Sequence, residues 1–232
     1  MSPNLIKPPR RLILQSGLAA ASVALATQGN AGKAAGPKVA DVTPPEDLMR
    51  EHGVLDRVLL IYEAAMRKFA ANADFNPKVI SDSAKVVQDF IENYHEKSEE
   101  NFIFPRFRKS GQLIDLVETL LQQHQAGRRV TQAILRHAPA SRQDGDARRQ
   151  TIASMQSFIA MYRPHAARED TVLFPKLRSI VSAHEFDAIG EDMEKQEHQH
   201  FGEDGFEKAA AHVSRLEKAV GIDDLRQFTP PG

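Results

Sequence analysis

The chain has 232 residues, 41% of them hydrophobic, with 30 basic and 31 acidic side chains and no cysteine. The five basic residues of the first forty, Lys7, Arg10, Arg11, Lys33 and Lys38, have no acid among them, so the rest of the chain carries 25 basic against 31 acidic side chains, a net charge of −6 that argues against a nucleic-acid partner. The missing cysteine excludes disulfides, thiolate zinc sites, iron–sulfur clusters and a thiol nucleophile, and leaves nitrogen and oxygen ligands for any transition metal.

Residues 1–31 look like a twin-arginine export signal: Arg10-Arg11 precede a weakly apolar stretch that ends among small residues near Ala24-Leu25-Ala26 or Gly29-Asn30-Ala31. Pro9 and Gln15 depart from the usual pattern. The apolar run, roughly 15 residues, is short and polar for a membrane span, so a periplasmic or exported protein that meets the membrane only during export is expected, with a retained anchor as the lesser reading. Residues 32–43, rich in Gly, Ala, Lys and Pro, read as a flexible linker.

Pro44-Pro45-Glu46-Asp47 opens a first helix expected to reach about Ala71, with Leu48, Leu55, Leu59, Tyr62 and Met66 on one stripe and His52 among them. Asn76-Pro77 opens a second, in which Ile80, Val87, Phe90 and Ile91 lead to His95, and Ser110-Gly111 turns the chain. A third helix, about 112–137, carries His124, and a fourth, about 146–180, carries His165. Pro164 lies inside that fourth helix and predicts a kink or bulge just before His165. The apolar pattern resumes past Ser182 as two shorter helices packed outside the others, divided near Gly202 and Gly205. The fold class expected is all-α: an up-down-up-down four-helix bundle over 44–181, with a C-terminal helical extension and tail over 182–232.

The chemistry lies in a pattern that occurs twice. His95 and Glu99 are followed by Phe104-Pro105, and His165 and Glu169 by Phe174-Pro175 at the same offsets. A step of four places His and Glu one turn apart on one helix face. His52 and His124 have their own echo, each followed five residues later by Arg (Arg57, Arg129) and six later by Val. Two helical hairpins thus each offer one His from the first helix and a His-x-x-x-Glu from the second. One such pair alone would read as a solvated i, i+4 contact worth a few tenths of a kcal/mol. Four helices each presenting a histidine on or beside an apolar stripe do not fit that reading, because buried imidazoles and carboxylates without partners are costly.

This H, HxxxE, H, HxxxE arrangement resembles the hemerythrin-like family of HHE cation-binding domains, over roughly Pro44 to Val181. The resemblance implies a non-haem di-iron centre, two iron ions held by His52, His95, Glu99, His124, His165 and Glu169, with manganese or zinc also acceptable to such ligands. Oxygen-carrying hemerythrins have a further histidine one turn after the third-helix ligand, where this chain has Arg128, so a reactive or sensing centre fits better than a reversible carrier. The implied function is binding or sensing of oxygen, nitric oxide or iron. The alternative is a di-iron enzyme that reduces peroxide or nitric oxide, or oxidises ferrous iron. Small ligands of that kind are the expected partners, and the oligomeric state is left open. Tyr94, Tyr162 and His198 are candidate proton donors, Glu96 is expected to face solvent at about 100° from His95, and His198, one turn after Glu194, is a candidate cap for the site.

Overall fold

Four apolar helix faces, gathered into two clusters with one polar layer between them, explain most of the architecture. The structure, a computed structural model, describes residues 42–230 and 232; the expected export signal lies outside the described residues, as does all but the last two residues of the expected linker. From Pro44 onward the chain packs as one unit of six helices. These are α1 (Pro44–Ala70), α2 (78–110), α3 (Ile114–His137), α4 (145–177), α5 (Ala183–Phe201) and α6 (Gly205–Val220). Among the described residues there is no strand, and no helix is long and apolar enough to cross a membrane.

The helix ends follow local chemistry. Asp144 caps α4 by accepting from the backbone N–H of Asp146 and Ala147, and Ser182 caps α5 through Glu185 N–H. Gly111 ends α2 in the left-handed conformation, φ 70°, which a residue without Cβ adopts freely. The third helix starts two residues later than its apolar pattern suggested, because Leu113 itself takes a left-handed φ of 54°. The fourth stops at Leu177 rather than near Ile180.

Two apolar clusters establish the topology. One gathers Leu48 near the start of α1, Ile103 and Phe107 near the end of α2, Val117 and Leu120 near the start of α3, and Leu173 and Leu177 near the end of α4. The other gathers the opposite ends, with Phe69, Val79, Ile134 and Met155. Consecutive helices therefore run antiparallel, the up-down-up-down order expected of short connections. Along each of the four, the histidine falls between the stretches belonging to the two clusters. Helices α5 and α6 lie against α1 and α2; Arg57 of α1 anchors α6 through Glu217 (2.6 and 2.9 Å) and Ser214 (2.7 Å).

Helices α2 and α4 are not regular. Helix α2 is π-helical over Val87–His95 and again over Glu99–Ile103, and α4 over Glu169–Leu173. Phe104 N–H reaches back to the carbonyl of Glu99, and Phe174 N–H to that of Glu169, a five-residue step in both. The next residue in each case is a proline, Pro105 or Pro175, placed in the first turn of the α segment that follows. A proline has no N–H to satisfy and is tolerated at such a start, so Phe-Pro is where each helix returns to α geometry. The bulge expected at Pro164 is thus displaced: α geometry continues through Pro164 to Arg168, and the wide turn begins at Glu169.

Candidate metal centre

The two wide turns hold Glu99 and Glu169 at their first residues, one turn beyond His95 and His165, and α1 and α3 bring His52 and His124 to the same layer. All six side chains are 3% exposed or less. The imidazoles form two pairs. His52 and His95 approach to 3.1 Å between Nε2 atoms, and the His124 and His165 rings lie 5.0 Å apart between centroids.

Each glutamate reaches from one pair to the other. Glu99 stands 3.7 Å from His95 Nε2 and 3.3 Å from His124 Nε2, while Glu169 stands 3.1 Å from His165 Nε2 and 3.3 Å from His52 Nε2. His52, His95 and Glu99 form one group able to hold a cation, and His124, His165 and Glu169 another.

The outer nitrogen of every imidazole is held as well. His52 Nδ1 meets Asp170 at 2.7 Å, His95 Nδ1 meets Glu51 at 2.8 Å, His124 Nδ1 meets Glu100 at 3.2 Å, and His165 Nδ1 meets Gln123 at 2.9 Å. An imidazole donating Nδ1–H to an oxygen keeps its Nε2 lone pair for a metal and is made more basic by the contact. These four partners repeat the twofold pattern: Glu51 and Gln123 immediately precede His52 and His124 in α1 and α3, and Glu100 and Asp170 immediately follow Glu99 and Glu169 in α2 and α4. Sequence reasoning named none of the four as a histidine partner, although their adjacency to the His and Glu pattern in both hairpins was the available signal.

Electrostatics favour a cation here. Both oxygens of Glu99, both of Glu169, and His124 Nε2 are buried without a hydrogen bond of ordinary geometry, a costly state unless a positive ion satisfies them. Burial and the facing Glu169 push the Glu99 carboxyl well above its usual range. Burial opposes ionisation of Glu169 too, but His165 and His52 outweigh it and hold that carboxyl well below the usual range. Burial and the charge of His52 lower His95, and burial lowers His124. Burial also works against charge on His52, yet its contacts to Asp170 and Glu169 lift it to about 9. Those two contacts favour the protonated form of His52 in the metal-free protein.

Glu96 corrects the expectation of solvent exposure. It is 1% exposed, accepting a 2.5 Å hydrogen bond from the Tyr162 hydroxyl and paired at 2.6 Å with Arg128, which also reaches Glu100 at 2.7 Å. Burial, only partly offset by Arg128 and Tyr162, pushes the Glu96 carboxyl up to about 8. Tyr162 lies 5.3 Å from the His165 ring. Tyr62 and Tyr94 are buried in the core. His198 is exposed on α5 and belongs to none of the groups able to hold a metal.

The sequence profile of the hemerythrin HHE cation-binding domain matches residues 43–177, helices α1 to α4, and in a second, overlapping placement residues 115–229. The chain belongs to the hemerythrin HHE cation-binding family. Relatives from two strains of Mycobacterium tuberculosis and one from Mycobacterium bovis, all described as uncharacterized proteins, are each 45% identical to it over 190 residues, 82% of this chain and 74% of theirs. No solved structure matches the chain. As a member of that family it presents His and Glu groups compatible with metal binding.

Proposed function

We propose that this HHE protein holds two transition-metal ions, iron by family resemblance, with His52 and His95 on one ion, His124 and His165 on the other, and Glu99 and Glu169 bridging them. The observation that carries the reading is that each buried glutamate spans both histidine pairs, at 3.1 to 3.7 Å from their Nε2 atoms. The donor set is all nitrogen and oxygen, which suits iron and also accepts manganese or zinc. Bound there, the ions would supply a redox couple and coordination positions that six protein ligands leave open.

The burial of the whole layer favours small ligands, and binding or sensing of oxygen, nitric oxide or iron is the function we assign. Arg128, committed to Glu96 and Glu100, stands where an oxygen carrier would place another histidine. One observation favours turnover as a second reading: the Tyr162–Glu96 hydrogen bond sets a phenol and a carboxyl beside His165, a pair suited to hold and move a proton during reduction of peroxide or nitric oxide. Arg10-Arg11 and the apolar run behind them support export to the periplasm as part of the same proposal.

Metal analysis and the near-ultraviolet and visible spectrum of protein grown in iron-replete medium test this reading beside a His95→Ala, His165→Ala double variant. About two irons per chain with charge-transfer absorption, both lost in the variant, is the expected result. Equal metal content in the two proteins would refute the ligand set. Loss of peroxide or nitric oxide at catalytic rates would select the enzyme reading over the binding one.

A further inference from the structure

The two halves of the centre differ in what supports them. In α4 the helix is α up to Arg168, which is exposed, and a single wide turn follows. In α2 nine residues before and including His95 are π-helical, and a second wide turn follows only three residues later. Wide turns occur mostly singly, so such a run calls for support from outside the helix.

That support comes from α5. Ser98, in the place that Arg168 holds in the other hairpin, is buried, and its hydroxyl donates to the Tyr94 carbonyl at 2.9 Å. Gln196 of α5 directs one amide nitrogen at both, 3.2 Å from the Tyr94 carbonyl and 3.0 Å from Ser98 Oγ. Phe201, at the end of α5, meets the Tyr94 ring edge-on at 5.4 Å and Phe90 at 5.8 Å. Tyr94 and Ser98 flank His95 and precede Glu99, so this one amide ties α5 to the backbone that aims both ligands.

We propose that the C-terminal hairpin is a clamp on the metal centre, with Gln196 as a positioning residue that holds the paired wide turns of α2 and so sets the His52–His95–Glu99 half of the site. The effect on metal rests on the two-ion reading above; the clamp itself does not.

The test uses the full chain and three variants: Gln196→Ala, Gln196→Glu, which keeps the size but loses the donor, and Arg57→Ala, which loosens the same hairpin at its other anchor. In metal-free protein, amide hydrogen exchange over 87–103 is expected to quicken about tenfold in both Gln196 variants, with 157–173 unchanged. Titration with cobalt(II) as a spectroscopic probe is expected to show one of two bound ions weakened about tenfold, the scale of losing a residue that orients a ligand. Arg57→Ala is expected to move neither reading at matched thermal stability. Unchanged exchange over 87–103 in the Gln196 variants would overturn the clamp, and an equal effect from Arg57→Ala at matched thermal stability would overturn the assignment of Gln196 as its positioning residue. Wild-type protein that takes up no cobalt would sink the two-ion reading, while the exchange comparison still decides the clamp.

Discussion

Phe174 lies nearly parallel to the His52 ring, with centroids 5.7 Å apart and planes 20° apart. Phe104 does the same to His124 at 5.5 Å and 22°. The phenylalanine of each Phe-Pro thus covers the first-helix histidine of the opposite hairpin, and the repeated His-to-Phe step of nine has a structural cause. After leaving the wide turn, each of α2 and α4 lays an aromatic ring over the imidazole it faces.

This stacking predicts that Phe174→Leu, which keeps an apolar side chain but loses the flat face, costs about 1 kcal/mol in the metal-free protein and more when metal is bound, because His52 loses its fixed ring plane. Thermal melts with and without metal check it. The stabilisation conferred by metal should shrink in Phe174→Leu, and an unchanged increment would mean the ring is packing alone.

The proton on His52 makes stability depend on pH. Its folded value of about 9 lies above the ordinary 6.5, so its contribution is fully present below about pH 6.5 and is lost as pH rises through 9. The shift corresponds to roughly 3 kcal/mol. Glu96, raised to about 8 from 4.5, acts in the same direction, since ionising it in the fold becomes a growing penalty between those values. Metal-free protein should therefore melt at progressively lower temperature from pH 6.5 to 9. With His52 as a ligand, as proposed, metal would have to displace its proton, so apparent metal affinity should rise over that range and the loaded protein should lose less of its melting temperature. A metal-free melting temperature that stays flat or climbs between pH 6.5 and 9 would contradict the assignment.

The helices, and the gathering of the six His and Glu side chains in one buried layer, were legible because both rest on periodicity: apolar stripes at three and four, and His-x-x-x-Glu at four, repeated with matched flanks. What was not legible depends on a departure from that period or on another helix. Glu96 was expected to face water because α spacing turns it about 100° from His95, but wide turns on both sides change the register, and Arg128 and Tyr162 arrive from α3 and α4 to bury it. The histidine partners Glu51, Glu100, Gln123 and Asp170 escaped for the second reason, each acting on a ring carried by a different helix. Pro164 was the visible irregularity in α4, yet the bulge belongs to Glu169, ahead of the second proline.

Gly127 offers a direct test of the Tyr162–Glu96 contact. Its α-carbon faces Tyr162 so closely that a Cβ would overlap the hydroxyl oxygen and lie 2.7 Å from Cζ. Glycine inside α3 therefore makes room for the phenol to cross to Glu96. Replacing a helical glycine with alanine normally stabilises by about 0.5 to 1 kcal/mol, and Gly53→Ala in α1, where nothing lies within 4 Å of the added carbon, should do so. Gly127→Ala should instead destabilise by about 1 to 3 kcal/mol and push Tyr162 off Glu96. In a Tyr162→Leu background the clash has no ring to meet, so the same Gly127→Ala change should lose most of its cost. Denaturant unfolding of the four proteins in that double-mutant cycle measures the coupling. A coupling near zero would show that the phenol does not depend on the glycine, and the seat proposed for Tyr162 would have to be abandoned.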